Sequence, residues 1–423
     1  MSNAPEADHR QQWQPPPRPE WMTRIIEEGR CMDIRGVVPL DEKSLIDAAI
    51  KNTGLSDFGS DDWREPFQVV VKSMEEDADF HLMGRLMARQ EFLQLLEARL
   101  MIEDTYKKHP EIEEQQIIEP IIVVGQGRSG TSFMINMLMA NPDNGALLTW
   151  ETSFPCPPPE AATYRTDPRI KKAHDRVQQW ERVTPSIASM HEFYGHLPFE
   201  CMQALALSFR SPSWFVGMGQ ATTYEAWMRT QDMRPALLYH KRLLKLLQWK
   251  NSRKHWALKD PMHLYRLPLM MEIYPDAKFI WPHRDPVRAL ASAVNLIGTI
   301  QWGRSDHPMK GKSFENILDP NMSAGAFNFV IEQLEAGAVP KNQIYHMQYL
   351  NMVNDTMGEI AKAYQHLGLE LSERGRNGMA KFLADHPRDA RPKHQFNLGT
   401  AESVAQAREA FKRYQTHFGV ETE

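Results

Sequence analysis

An α/β fold, a three-layer sandwich with a mainly parallel central sheet, is predicted for this chain of 423 residues by three observations. Ile121, Ile122, Val123 and Val124 form an unbroken β-branched run, as expected of a strand covered on both faces. The run breaks into the loop Gly125-Gln-Gly-Arg-Ser-Gly130, and from Thr131 the apolar residues Phe133, Met134, Met137 and Leu138 recur at helical spacing. A second passage of this kind runs from Tyr274 to Ser292: a helix end, a turn, a short strand, then Arg284-Asp-Pro286 opening another helix. Pro286 suits the first helical turn, where no N–H partner is lost. Strands alternating with helices build a parallel sheet with helices on its faces.

Along the chain, residues 1–20 carry Pro15-Pro-Pro-Arg-Pro19 and little apolar patterning, which predicts an extended or disordered arm. Residues 21–117 are expected to be helical, at Ser44–Thr53 and most strongly at Asp77–Lys108. There Leu82, Leu86, Phe92, Leu95, Leu96 and Leu100 make an apolar stripe. Packing on the core is the plainer reading of that stripe, and a homo-oligomer interface the sharper one. Residues 118–423 then form one domain, into which residues 150–250 insert as a helical cap rich in aromatics. Most of these aromatics should be the cap's own core; Phe193, Tyr194, Trp214 and Phe215 are the candidates to line an apolar pocket. Pro155, Pro157, Pro158 and Pro159 stiffen the exit from the first strand–helix unit and would hold Trp150 and Glu151 at the mouth of the site.

The strand, glycine loop and helix start form a cradle whose amide N–H groups suit an anionic oxygen cluster. A nucleoside triphosphatase loop reads G-x-x-x-x-G-K-[ST]. Gly125 and Gly130 have that spacing, but Thr131 takes the lysine position and the cation sits earlier, at Arg128. Gly125, Gly127 and Gly130 also match the dinucleotide pattern G-x-G-x-x-G, with Glu151 available as the acid that a nicotinamide site wants. The second passage separates these readings. Arg284 and Ser292 are eight residues apart on one helix start, so a guanidinium fork and a hydroxyl can grip a second, separate phosphate. Two phosphate sites suit a ligand phosphorylated at both ends of a ribose.

At this point the chain resembles a known family. Gly127-Arg-Ser-Gly-Thr-Ser-Phe133 looks like the 5′-phosphosulfate loop of sulfotransferases that use 3′-phosphoadenosine 5′-phosphosulfate (PAPS), and Arg284-Asp-Pro…Ser292 looks like their 3′-phosphate motif. Leu258-Lys-Asp-Pro-Met-His263 resembles the segment carrying substrate-side catalytic groups, and Pro392-Lys-His-Gln-Phe-Asn-Leu398 with Tyr414 and Phe418-Gly419 is similar to the tail of bacterial members. The resemblance covers about residues 118–420 and implies a P-loop-like fold with an acceptor-binding cap. It implies sulfuryl transfer from PAPS to a hydroxyl, less readily an amine, of a small or lipid-like acceptor. PAPS leaves as 3′,5′-adenosine bisphosphate (PAP), and no metal is required.

The resemblance also assigns roles. Arg128 with the amides and hydroxyls of Ser129, Gly130, Thr131 and Ser132 would hold the phosphosulfate and the charge growing on the leaving phosphate. Lys259, after the strand end Trp256-Ala-Leu258, would reach the bridging or sulfuryl oxygens, and Phe133 would stack on adenine. Lys393, with Arg391 and His394, lies where family members bring a loop over the 3′-phosphate, although the Arg-Lys-Gly tripeptide of the cytosolic branch is absent. Two residues compete as general base, His263 and Glu151. Glu151 is placed ahead, because Leu-Lys-Asp-Pro resembles the carboxylate-dependent branch, though its spacing from Arg128 differs. A magnesium-dependent nucleotide kinase would leave Arg284 and Ser292 unexplained, and a non-catalytic scaffold would bind PAP without turnover.

Composition fits an ordinary enzyme with ample core, at 42% hydrophobic residues. The net charge of −5 gives no support for a nucleic-acid partner, which would call for a basic face. No apolar run reaches about 18 residues, so no membrane span is expected. Met1-Ser-Asn-Ala-Pro-Glu-Ala-Asp8 has no apolar signal core, and Cys31, Cys156 and Cys201 are odd in number and far apart. A cytoplasmic location is the simplest expectation. His191 and His196 are the nearest approach to a metal-binding pair, but at five residues they do not share a helix face. Residues 302–320, with Gly303 and Gly311, are expected to be a loop covering the site.

Overall fold

The computed structural model describes residues 13–309, 319–387 and 396–423. Five strands, β1 (Ile121–Val123), β2 (Asn144–Ala146), β3 (His255–Lys259), β4 (Lys278–His283) and β5 (Ile344–Gln348), form one sheet in the order β2-β3-β1-β4-β5. Every pairing is parallel. Parallel strands need crossovers, and helices supply each one. The register sets Val123 beside Lys259 on one side and beside Ile280 on the other. All strands therefore end at one edge, and β4 runs three residues past Ile280 to His283. After β1 the chain crosses β3 to reach β2, then returns and passes over β1 to β4. That reversal opens a crevice beyond the carboxyl end of β1, the usual ligand position in such sheets.

Alternation along β1 and the residue after it divides the interior. Ile122 and Val124 join the main core with Leu258 and Phe279, whereas Ile121 and Val123 face Met134, Leu138, Tyr364 and Met379. The N-terminal helices Glu42–Thr53, Arg64–Glu76 and Leu82–Lys108 join the main core, since Leu45, Phe67, Phe92 and Leu96 share it with the cap residues Phe209 and Phe215. In the helix Leu82–Lys108, Phe92, Leu95, Leu96 and Leu100 of the stripe are buried within the chain, Leu82 is half-buried and Leu86 is 42% exposed. Phe92 stacks on Phe215 with ring centroids 5.8 Å apart, which ties the N-terminal layer to the cap.

The described part of the arm is extended but docked. Trp302 Nε1 donates to the Pro16 carbonyl at 2.9 Å, and the Arg18 guanidinium lies 3.4 Å over the Trp302 ring. Of the expected covering loop, residues 310–318 lie outside the described residues, as do Arg391, Lys393 and His394. Among the described residues no helix is long and apolar enough to cross a membrane.

Candidate active site

The loop after β1 is shaped by backbone conformations that few residues tolerate. Gly125 has φ +128° and Gly130 φ +99°, and a Cβ on Gly130 would come within 2.7 Å of Met352 and 3.2 Å of the Tyr349 ring. Arg128 adopts φ +73°, a conformation that residues with a Cβ rarely take. Ser129 closes the loop, its hydroxyl donating to the Gln126 carbonyl at 2.7 Å. A Cβ on Gly127 would meet nothing within 4 Å, so open space faces that part of the loop. Thr131 and Ser132 begin the ten-residue helix Thr131–Ala140, whose first-turn amides have no partner within the helix.

The two motifs meet side chain to side chain. Arg128 Nε donates to Ser292 Oγ at 3.0 Å, and Arg128 Nη1 donates to the Met190 carbonyl of the cap at 2.8 Å. Arg284 Nη1 donates to the Arg128 carbonyl at 3.1 Å, and its guanidinium lies 4.2 Å from the centre of the Tyr349 ring. Burial, and next the neighbouring Arg284 charge, hold the Arg128 pKa below its ordinary value. Guanidinium groups next to two helix starts have donors of the kind that phosphate oxygens accept.

On the β3 side of the loop, Lys259 is 4% exposed, and its Nζ donates to Ser132 Oγ at 3.0 Å. The same Nζ pairs with Glu200. Sequence reasoning missed Glu200. Its position follows from an isolated bridge between Leu148 and Pro198, with Phe199 N–H donating to the Leu147 carbonyl at 2.8 Å. Glu200 precedes the helix Cys201–Leu205 yet makes no cap bond with it, so its carboxylate is turned to Lys259. Burial pushes the Glu200 pKa up, opposed chiefly by the Lys259 charge. For His191, burial, then the charges of Lys259 and Arg128, lower the pKa to about 3, so it stands neutral beside both cations.

The base candidates taken from the sequence are engaged elsewhere. Glu151 is fully buried; one oxygen accepts from Leu148 N–H at 3.0 Å, and the other accepts from Tyr164 at 3.2 Å and pairs with Arg253. It is a helix cap and half of a buried ion pair, and this corrects the expectation of a free carboxylate at the site mouth. His263 is 1% exposed in the turn Pro261–Arg266 and faces His240, ring centroids 6.3 Å apart. Burial lowers its pKa to about 3. Trp150 is fully buried 5.5 Å from Tyr164, and Phe215 is fully buried against Phe92, so neither lines a pocket; both are core. Trp214 and Phe193 flank Trp180 at 6.1 and 5.2 Å. Phe133 is half-buried against the second core.

Tyr194 is 38% exposed and lines a cleft of about 230 Å³ with Asn136, Glu192, His196, Leu197, Phe382 and His386. Asn136 follows Ser132 by one helical turn, so the cleft runs along the same helix face as the Lys259 contact. Leu197 is three residues before Glu200. Among the described residues no group of three or more His, Cys, Asp or Glu could hold a metal ion.

The sequence pattern of the sulfotransferase family matches residues 120–373. The chain is 24% identical over 280 residues to the omega-hydroxy-beta-dihydromenaquinone-9 sulfotransferase Stf3 of Mycobacterium bovis, covering 63% of this chain and 67% of that protein. Among solved structures, sulfotransferase STF9 from Mycobacterium avium superposes with a TM-score of 0.76 and 26% identity, covering 90% of this chain and 98% of its own. Sulfotransferase STF1 from Mycobacterium tuberculosis gives 0.72 and 27%, covering 87% and 97%.

Proposed function

The chain belongs to the sulfotransferase family, enzymes that transfer sulfuryl groups, and we propose that its donor is PAPS and its acceptor a hydroxyl on a small or lipid-like molecule. The single observation that carries the donor reading is the junction of the two motifs, in which Arg128 bonds Ser292 while Arg284 bonds the Arg128 carbonyl. A cradle for one phosphate and a cationic fork for another then stand side by side, as a nucleotide phosphorylated at both 5′ and 3′ positions requires. Open space at Gly127 and the first-turn amides of the helix Thr131–Ala140 fit the 5′ end.

Lys259 and Glu200 take the reacting end. In the transfer, the sulfur–oxygen bond to the 5′-phosphate breaks as one forms to the acceptor oxygen, and the acceptor proton must leave. Glu200, ionised and held by Lys259, accepts that proton; its raised pKa makes it a stronger base than an ordinary carboxylate. Lys259 and Arg128 then stabilise charge gathering on the leaving phosphate, and Ser132 orients Lys259. The acceptor enters through the cleft beside Tyr194 and Asn136. A lipid-like acceptor is supported by the relative Stf3, whose name states a hydroxylated menaquinone.

Calorimetry with PAP, 5′-AMP and magnesium ATP tests the donor reading. PAP should bind at least about tenfold more tightly than 5′-AMP, and Arg128→Ala should remove most of that affinity. Equal affinity for all three nucleotides would overturn the assignment.

A further inference from the structure

The Arg284 fork is filled by a carboxylate of the same chain. Its Nε and Nη2 donate to the two side-chain oxygens of Glu423 at 2.7 and 2.9 Å. This two-point geometry is the one a guanidinium uses for carboxylate and phosphate alike. Glu423 is brought there by its own backbone, whose N–H donates to Asp285 Oδ2 at 2.9 Å. Asp285 is gripped in turn by Arg408 at 2.6 Å. Three residues earlier Val420 packs into the main core, 8% exposed, and Gln348 Nε2 donates to the Phe418 carbonyl at 2.7 Å. Arg288 adds a second cation, its Nε 3.8 Å from the Glu423 carboxylate.

We propose that Glu423 is a built-in competitor for the 3′-phosphate, a residue that sets how selectively and how long the enzyme holds its doubly phosphorylated nucleotide. The inference rests on the donor reading above. Because the backbone of Glu423 is anchored, its carboxylate competes at a high effective concentration. Only the side chain has to swing away for a phosphate to take the fork. Arg284 stays in place meanwhile, through its bond to the Arg128 carbonyl and its stacking on Tyr349. A nucleotide with a bare 3′-hydroxyl leaves the pair undisturbed. Glu423 therefore weakens binding of 3′-phosphorylated ligands alone and hastens release of PAP.

Calorimetry and stopped-flow displacement on the full chain, wild type against Glu423→Gln and Glu423→Ala, test this. Both variants should bind PAP roughly tenfold more tightly, mostly through slower release, with 5′-AMP affinity unchanged. A 3′-phosphate preference that neither variant moves, or that both weaken, would make Glu423 a strut for Arg284 and overturn the proposal while sparing the donor reading. Absence of any 3′-phosphate preference in all three proteins would overturn both. Thermal melting should show all three folded alike, since the Glu423 pair is not part of the apolar core.

Discussion

At the scale of single residues, two glutamates have distinct partners, Glu151 fully buried and Glu200 half-buried. Glu200 pairs with a lysine that also touches the cradle, whereas Glu151 caps a helix and pairs with Arg253. Glu200→Gln should lower kcat by about 10²- to 10⁴-fold, with PAP affinity kept within a few-fold. Glu151→Gln should leave kcat near wild type but lower stability by about 3 kcal/mol, because it uncouples a buried ion pair. Activity and melting temperature measured on both proteins separate the roles; the opposite pattern would restore Glu151 as base. The pH profile adds an independent check. A base must be ionised to act, so activity falls as pH drops through the Glu200 pKa, which burial holds above the ordinary 4.5. The acid limb of kcat/KM should therefore have its midpoint above that value, and it should disappear in Glu200→Gln. Neither glutamate could be sorted from sequence, because the difference lies in partners brought by tertiary contacts: Arg253 for one, Lys259 for the other.

At the scale of elements, the loop–helix unit was legible because its chemistry is local. A β-branched run, glycines where φ must be positive, and helical spacing after Thr131 each leave a mark in the sequence. The cap was not legible, since its aromatics serve core and site alike. Phe215 stacks in the interior while Tyr194 lines a cleft, and composition does not distinguish them. Glu200 escaped notice for a different reason, being set by a single bridge of residues 147–149 to residues 197–199. Two glycines of the loop make different predictions for stability. Gly130→Ala is strained at φ +99° and crowds Tyr349, so it should cost about 1–3 kcal/mol of stability and weaken PAP binding as the Arg284 platform shifts. Gly127→Ala meets nothing, so it should melt like wild type yet bind PAP more weakly, its methyl group standing where the ligand passes. Melting curves and calorimetry on the pair check this, and equal melting temperatures would argue against the strained cap.

At the scale of the whole molecule, the site exists because all five strands point the same way. Parallel pairing carries the ends of β1, β3 and β4 to one edge, so residues more than 150 positions apart, Arg128 and Arg284, come within hydrogen-bonding distance. The cap closes the other side, since Met190 takes an Arg128 bond and Glu200 takes Lys259. On the proposed function, donor and acceptor sides are separate surfaces meeting at Ser132 and Lys259, and changes to one should leave the other working. The cleft beside Tyr194 provides the case. With Tyr194 replaced by alanine, affinity for PAP should be unchanged, and transfer from PAPS to hydroxylated acceptors should show a raised KM with a smaller change in kcat. An assay of PAP release with a long-chain primary alcohol and with a phenol, run on wild type and Tyr194→Ala, reads both quantities. A selective loss with the long-chain alcohol marks the cleft as the path for a lipid-like chain, and a selective loss with the phenol marks it as a ring pocket. A parallel fall in PAP affinity would mean instead that the cleft belongs to the nucleotide, and the acceptor path would then lie along Trp180, Phe193 and Trp214.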